Sequence, residues 1–581
     1  MIDRSLKRRM ILVTALLLAA MSGVSVRLAY LHLGPNEHRV KAAERASTFE
    51  DPLPVARGRI FGSGHNGTIL AMNQPVKDVC VDPARVAEKQ QQDSVIRALT
   101  AVLATDEAQV LARLSETNRR FAYVQRFVPE EKTDELQQMN LTGVFFRDTS
   151  TRYYPHGMFM CHLLGFANLD GIGSAGVEQM MDKYLRGCPG LRVGRQDGHH
   201  RELYNERIRD VPGQDGDDVY LTVDQNLQYM VERALDTAME KHQAKGAWAI
   251  IQKVRTGEIL AIASRPAFDL NEFRTASLDV LLNRAIGTVY EPGSTIKPAT
   301  IALALSQGIV TPSTTFDCEN GAWMYAGKVL RDLHPYGLLS VADILKKSSN
   351  VGTAKIAVEL GEKRLDQGFR SFGYGSVLGV DLPGEEKGIL HPLSDWSKLS
   401  VARVSIGQGV AVTALQMLGM MCCIANDGFL MRPRVIDRVV GPRGNVILKN
   451  EPEVLARPIG ADTAALMRYM LSRVTEEGGT GKRACVDGYL VAGKTGTAQK
   501  AVPGGYSDTA YVASFVGFMP ADHPEIGIIV VVDEPQPYHT GGYVAAPVFG
   551  EIAEQAARYL DIPPSDLKEQ NGTSRPALAA N

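Results

Sequence analysis

From Met10 to Val26 the chain runs for 17 residues without a charge, MILVTALLLAAMSGVSV, and beyond Arg27 the apolar pattern continues through Leu28-Ala29-Tyr30-Leu31 to Leu33. A stretch of about 20 apolar residues is what one helix needs to cross a bilayer. Arg27 lies near one end of it, where its stem can follow the lipid while the guanidinium reaches water. Arg4, Lys7, Arg8 and Arg9 precede the run, so the positive-inside rule places residues 1–9 in the cytoplasm and everything after Leu33 outside. A cleaved signal peptide shares the basic start and the apolar stretch. The run is long for such a segment and no clear A-x-A site follows it, so an uncleaved single-pass anchor over 10–33 is expected.

What hangs from that anchor is large. The 581 residues are 45% hydrophobic and 22% charged, enough for two or more full cores and unlike a disordered or fibrous chain. Lys and Arg number 63 against 65 Asp and Glu, a net charge of -2, so there is no basic field for nucleic acid. Cys80, Cys161, Cys188, Cys318, Cys422, Cys423 and Cys485 are odd in number and show no C-x-x-C or Cys/His spacing, so no structural metal is predicted. Cys422 and Cys423 lie in an apolar run and read as buried thiols, while an export-compartment disulfide stays open.

Residues 34–215 mix a helical pattern, as in Asp93 to Leu114, with short β-like runs such as Gly143 to Phe146, and carry no compact catalytic-looking cluster. The Gly/Asp-rich stretch Val211-Pro-Gly-Gln-Asp-Gly-Asp-Asp218 marks a boundary. A second domain is expected over 216–562. It opens with a strand, Val219 to Val223, then Asp224 and an amphipathic helix from Gln225 to about His242, with Leu227, Met230, Val231 and Leu235 on one face. Ala247–Ile251 and Glu258–Ile262 flank a turn at Thr256-Gly257 and read as a hairpin. Tyr511 to Phe518 and Ile526 to Val532 give two more strands around Pro520–Pro524, and a last helix runs from Pro547 to Leu560. Strands at both ends of a helical middle predict an α+β domain, an antiparallel sheet covered by helices. Residues 563–581, rich in Pro, Ser, Asn and Gly, are expected to be disordered.

Three short strings in this domain carry chemistry: Ser294-Thr-Ile-Lys297, Ser348-Ser-Asn350 and Lys494-Thr-Gly-Thr497. Ser294 follows Glu291-Pro292-Gly293 and precedes a helical pattern, so it sits at a helix N-terminus where negative charge on its oxygen is favoured. Lys297 is one turn on, and if its neighbours lower its pKa its neutral amine can take the serine proton. Ser348 and Asn350 fall where a helix runs into a loop, so a hydroxyl and an amide can face one cleft. Lys494 to Thr497 belongs on or beside a strand. There Gly496 permits close backbone approach and Lys494 supplies positive charge for a carboxylate. Each string alone is ordinary: a capped helix with a surface lysine, a Ser/Asn turn, a strand end. Their order and spacing together match the Ser-x-x-Lys, Ser-x-Asn and Lys-Thr-Gly set of penicillin-reactive serine acyl-transferases.

A rival exists for the third string. Gly488-Tyr-Leu-Val-Ala-Gly493-Lys494-Thr495 meets the G-x-x-x-x-G-K-[ST] spacing of a phosphate loop. Such a loop needs a turn between strand and helix, whereas the variable positions here are strand-like and Gly496 weakens a helix start.

With these strings the chain resembles a class B penicillin-binding protein, most like the division-specific FtsI type. The resemblance covers nearly the whole chain: the anchor, Arg57-Gly58-Arg59-Ile60, Leu70–Asn73, Arg152-Tyr153-Tyr154-Pro155 and Gly176-Val177-Glu178 of a pedestal, Asn283-Arg284-Ala285, Tyr290-Glu-Pro-Gly-Ser-Thr-Ile-Lys297, Ser405-Ile-Gly-Gln-Gly409, and Gly541 to Phe549. It implies a non-catalytic, dimerisation-like pedestal and a transpeptidase domain that cross-links cell wall. Ser294 would attack the D-Ala-D-Ala carbonyl of a peptidoglycan stem peptide and an amine of a second stem would take the acyl group. Lys297 would be the base, and Ser348, Asn350 and Lys494 would complete the catalytic set. Thr495, Gly496 and Thr497 would bind the terminal carboxylate. The backbone N–H groups of Ser294 and Thr497 would form the oxyanion hole. β-Lactams would acylate the same serine, no metal or organic cofactor is implied, and an FtsW-like glycan polymerase and other divisome proteins are the implied partners. One departure stands out. After Arg57-Gly58 the family usually continues x-Ile-x-Asp-Arg-Asn-Gly, whereas this chain reads Arg59-Ile-Phe-Gly-Ser-Gly-His-Asn-Gly67.

An elongation enzyme shares this chemistry, but its relatives more often show Tyr-Pro-Pro-Gly where this chain has Tyr290-Glu291-Pro292-Gly293. A β-lactamase shares the Ser-x-x-Lys logic, without the pedestal and with a Glu-based deacylation motif that is not convincing here. A non-catalytic penicillin-binding sensor typically carries further membrane helices or a cytoplasmic effector.

Overall fold

The computed structural model describes residues 4–33, 41, 47–64, 67–117, 119–197, 202–502 and 504–565. The chain divides into two compact units. The first takes the described parts of Met1–Val55 and Gly187–Asp215. It contains helix α1 (Arg4–Leu33), whose Ser5–His32 portion is long and apolar enough to cross a membrane and is exposed along its length, as a single-pass anchor requires. It also contains a three-stranded antiparallel sheet of Thr48–Leu53, Gly190–Arg195 and Arg209–Val211.

The second unit, Ala56–Arg186 with Gly216–Asn581, holds everything else. Its catalytic half is built on a sheet of five strands: β1 (Gly246–Lys253), β2 (Ile259–Arg265), β3 (Ala492–Val502), β4 (Gly505–Met519) and β5 (Ile526–Asp533). They lie in the order β2-β1-β5-β4-β3, every pair antiparallel, so β3 is an edge. Alternate side chains point to opposite faces. On one face Ala249, Ile251, Phe515, Ile528 and Val530 pack under helices Gln225–His242 and Ala545–Tyr559. On the other, Trp248, Ile250, Val516, Ile529 and Val531 meet the helical middle of the chain. Burial on both faces explains why β5 is apolar at nearly every position instead of alternating, as a one-sided antiparallel strand would.

Within that middle, helix Lys297–Ser306 is buried on all sides by Ala, Ile and Leu, and Ala414–Ala425 is fully buried. Cys422 and Cys423 lie in the latter, and all seven cysteines are free thiols.

The other half of this unit carries a larger sheet that crosses the expected domain boundary. Asp218–Leu221, which opens the catalytic half, pairs parallel with Ile60–Phe61 and antiparallel with Ile436–Val440. From Ile60–Phe61 the sheet continues into Ile69–Val81, which also pairs with Ala122–Val128 and Val144–Tyr153. The single helical pattern expected over Asp93–Leu114 is two helices, Gln92–Leu103 and Glu107–Leu114. Ala104 turns left-handed at φ 52°, and the Asp106 carboxylate accepts from Ala108 N to start the second helix. A buried ionic cluster ties this region to itself. Arg57 donates to both Glu178 (2.7 Å) and Asp182 (2.6 Å), and Arg152 donates to the other Glu178 oxygen at 2.6 Å. Of the departing loop, His65 and Asn66 lie outside the described residues. At the other end, Ser565 Oγ accepts from Leu490 N and donates to Asp522, and 566–581 lie outside the described residues.

Candidate active site

Ser294 sits in a tight 3-10 turn, Gly293–Ile296, that leads directly into the buried helix Lys297–Ser306. Gly293 takes φ +53°, and the segment before it is pinned where Tyr290 N donates to the Val412 carbonyl and Val412 N donates back. The turn is pressed from both sides. A Cβ on Gly407 would stand 2.2 Å from Gly293 O, and a Cβ on Gly496 would stand 2.8 Å from Thr295 Cγ2 and 2.3 Å from Ser514 Oγ. Neither position has room for a side chain, and Gly407 is in addition at φ +87°. Strand β3 therefore lies against the nucleophile turn.

Lys297 is the first residue of its α-helix and is 0% exposed. Its Nζ donates to Asn350 Oδ1 at 2.7 Å, to the Ser348 carbonyl at 2.6 Å and to Ser348 Oγ at 3.3 Å. Burial pushes this amine down to about 7, against the pull of the Asp332 carboxylate. A lysine near 7 is part neutral at neutral pH, the state a proton acceptor needs.

The second string is a junction between two helices. Val341–Lys347 ends at Ser348, which adopts a left-handed conformation at φ 59°, and Asn350–Leu360 begins two residues later. Ser349, in the middle of the string, caps the new helix by accepting from Gly352 N at 2.9 Å. It in turn donates to Asp332 at 2.7 Å, and Asp332 also accepts from the backbone N–H groups of Asn350 and Val351. Asn350 Nδ2 donates to the Arg331 carbonyl at 2.8 Å, so its Oδ1 is turned to Lys297. Asp332 and Ser349 are functional residues that the three strings do not single out. A hydroxyl before a helical pattern was the available signal for Ser349; nothing local marks Asp332.

Lys494 is also 0% exposed and lies on β3 as expected. It donates to the carbonyl of Thr495 at 3.0 Å and to Thr495 Oγ1 at 3.3 Å, and Thr495 Oγ1 donates to Thr480 Oγ1 at 2.9 Å. Burial and then the nearby Lys297 push its pKa well below the ordinary lysine range. Its amine thus sits behind Thr495. Thr497 is exposed and accepts from Gly541 N at 3.1 Å. The strand geometry disposes of the phosphate-loop spacing, because Gly493 to Thr495 continue into β3 and no helix follows them.

A cavity of about 930 Å³ brings the strings together: Ser294, Ser348, Asn350, Thr495 and Thr497 all line it, with Lys297 and Lys494 buried beneath. The arrangement offers a nucleophile at a helix start, a buried amine of lowered pKa linked to a hydroxyl and an amide, and a strand of threonine hydroxyls backed by a second lysine. That is the equipment of covalent acyl transfer.

The comparisons agree with this chemistry. Residues 247–554 match the penicillin binding protein transpeptidase domain, and residues 52–221 match the penicillin-binding protein dimerisation domain. The peptidoglycan D,D-transpeptidase FtsI of Escherichia coli K12 is 32% identical over 96% of this chain and 93% of its own. Stage V sporulation protein D of Bacillus subtilis is 33% identical over 93% of this chain and 84% of its own. The crystal structure of penicillin binding protein 3 from Mycobacterium tuberculosis with aztreonam superposes with a TM-score of 0.70 at 28% identity, covering 89% of this chain and 98% of that one. On matched domains, site geometry and near full-length similarity, the chain belongs to the class B penicillin-binding proteins.

Proposed function

We propose that the chain is a membrane-held peptidoglycan D,D-transpeptidase that works through an acyl-enzyme on Ser294. The observation that carries this reading is the buried Lys297 amine, lowered to about 7 and bonded to Ser348 and Asn350 beneath the cavity that Ser294 lines. Lys297 takes the Ser294 proton as Oγ attacks the D-Ala-D-Ala carbonyl. Ser348 relays that proton to the departing D-alanine amine, and Asn350 fixes the lysine. Thr495 and Thr497 hold the terminal carboxylate with Lys494 behind them, Gly496 keeps the strand close, and the N–H groups of Ser294 and Thr497 receive the oxyanion. β-Lactams enter the same path and stop at the acyl stage, a reading supported by the aztreonam complex of the mycobacterial relative.

The test is labelling with a fluorescent penicillin followed by peptide mapping. A single label on Ser294, lost in Ser294→Ala, is expected; label elsewhere sinks the assignment. Fast turnover of a chromogenic cephalosporin would instead indicate a β-lactamase.

We assign its work to the division septum, with an FtsW-like glycan polymerase and other divisome proteins as partners. The Glu291-Pro292-Gly293 lead-in and the name of the E. coli relative support this. The B. subtilis relative is named for sporulation instead, so cellular position must decide. A fluorescent fusion should gather at mid-cell, and a signal spread along the side wall would favour elongation. The basic residues Arg4, Lys7, Arg8 and Arg9 support an N-terminus in the cytoplasm and a catalytic domain beyond the inner membrane. A protease added outside spheroplasts should then digest the catalytic domain and spare the tail.

A further inference from the structure

Glu291 stands three residues before Ser294 and lines the same cavity. Its Oε1 accepts from Gly409 N at 2.8 Å and from Tyr506 OH at 3.1 Å, while Oε2 receives no hydrogen bond among the described residues. Tyr506 comes from the β3–β4 hairpin and Gly409 from the Ser405–Gly409 string, so two separate stretches of chain converge to hold one carboxylate oxygen. Burial raises the pKa of this carboxyl, opposed by the two donors and by the Arg403 guanidinium, which makes no ion pair with it.

Apart from Asp332, which is engaged by Ser349 and two backbone N–H groups, the other charged side chains lining the cavity are basic. Lys347, Lys482 and Arg483 line it together with Thr480 and Thr495. Lys347 donates to the Gly478 carbonyl at 3.0 Å, and Arg483 lies 3.8 Å above the Tyr543 ring. A peptide carboxylate is favoured at that wall, and a cation is favoured beside the Pro292–Gly293 turn. Acyl transfer between two peptides presents both charges. The donor ends in a carboxylate; the acceptor arrives as an ammonium and must become an amine before it can attack.

We propose that Glu291, held by Tyr506 and Gly409, is the subsite that binds the ammonium of the acceptor peptide at its free Oε2 and takes the proton it must lose. The proposal rests on the transpeptidase reading. The ammonium gives one proton to the Glu291 carboxylate. The resulting amine attacks the carbonyl carbon of the Ser294 ester; the C–N bond forms, the C–Oγ bond breaks, and the second N–H proton goes to Ser294 Oγ. Glu291 then releases its proton to water, leaving an amide, a free Ser294 and one proton in solution. The counter-charge favours a cationic acceptor over neutral water at the binding step.

The experiment uses the full chain in detergent, an acyl-D-Ala thiolester as donor and D-alaninamide as acceptor amine. Two quantities are read: the rate of acylation by a fluorescent penicillin, which needs no acceptor, and the ratio of transfer to hydrolysis. Glu291→Gln, which keeps the shape and removes the charge, should leave acylation within about twofold and lower the ratio about tenfold or more, the size expected of one charge-assisted hydrogen bond. Tyr506→Phe should lower the ratio less, in the same direction. An unchanged ratio in both variants overturns the proposal. So does a parallel fall in acylation and transfer, which would make Glu291 a prop for the Ser294 turn. Failure of the unaltered chain to be labelled at Ser294 or to transfer at all would be a failure of the transpeptidase reading itself.

Discussion

Asp332 accepts a hydrogen bond from Ser349 Oγ at 2.7 Å, and through this bond a residue outside all three strings orients the middle one. The same carboxylate caps Asn350 and Val351 and raises the pKa of Lys297. Asp332→Asn keeps an oxygen acceptor but removes the charge. Its expected outcome is a Lys297 amine of still lower pKa, read as an acid limb of the acylation profile displaced to lower pH. Asp332→Ala leaves Ser349 and two backbone N–H groups without their acceptor. It should cost about 2–3 kcal/mol of stability and slow acylation by roughly tenfold or more, measured by urea unfolding and penicillin labelling.

Lys297 predicts the pH dependence of the unaltered protein. With the amine at about 7, the proton-accepting form dominates above pH 7 and vanishes below it. Acylation should fall about tenfold per pH unit on the acid side of a midpoint near 7. The stability sign follows from the same shift. Unfolded, the lysine titrates near 10.5, so between about 7 and 10.5 the unfolded chain binds the extra proton. Lys297's contribution is therefore most favourable above 10.5 and is lost as pH falls to 7. Lys297→Met should abolish labelling, and its Tm relative to the parent should be higher at pH 7 than at pH 10, by calorimetry.

Gly496→Ala tests the contact between β3 and the nucleophile turn. The new methyl would stand 2.3 Å from Ser514 Oγ, 2.8 Å from Thr295 Cγ2 and 3.1 Å from the Pro292 carbonyl, so it is wedged between strand and turn. A stability loss of about 1–3 kcal/mol is expected, with acylation slowed about tenfold or more because the strand leaves the Ser294 turn. Gly460→Ala, whose Cβ would meet nothing within 4 Å, should leave acylation unchanged and lower stability by no more than about 1 kcal/mol through its helix N-cap position, and serves as the control.

Glu178 is 0% exposed and holds two guanidinium groups. Glu178→Ala leaves Arg152 buried without its carboxylate and Arg57 with Asp182 alone, and should destabilise by about 3 kcal/mol. At a temperature where the variant is still folded, acylation of Ser294 should remain within about twofold. A selective loss of acylation without loss of stability would contradict this structural role.

The three strings were legible because each packs its chemistry into three or four consecutive residues, and the strand and helix expected around them exist. The sheet was legible for a related reason: the runs at 247–251, 511–518 and 526–532 are apolar enough to be strands buried on both faces. What escaped was whatever depends on residues distant in sequence. Asp332 acts on Ser349 across an intervening strand and helix, and Glu291 receives Tyr506 from 215 residues away. Lys494 reads from sequence as a positive charge for a carboxylate, and only the packed fold puts Thr495 in front of it. The break between Leu103 and Glu107 was hidden by a helical periodicity that runs through it, although Asp106 carried the capping signal.

The parallel pairing of Ile60–Phe61 with Asp218–Leu221, itself joined to Ile436–Val440, has a consequence for biogenesis. On the topology proposed above, a chain exported behind its N-terminal helix delivers Ile60–Phe61 first and must wait for most of the catalytic half before this sheet is complete. Until then two ladder edges are open to neighbours, and pairing at such long separation forms slowly. On that topology the interval of exposure lasts at least until Ile436–Val440 has been delivered, because the Asp218–Leu221 strand has no second neighbour before then.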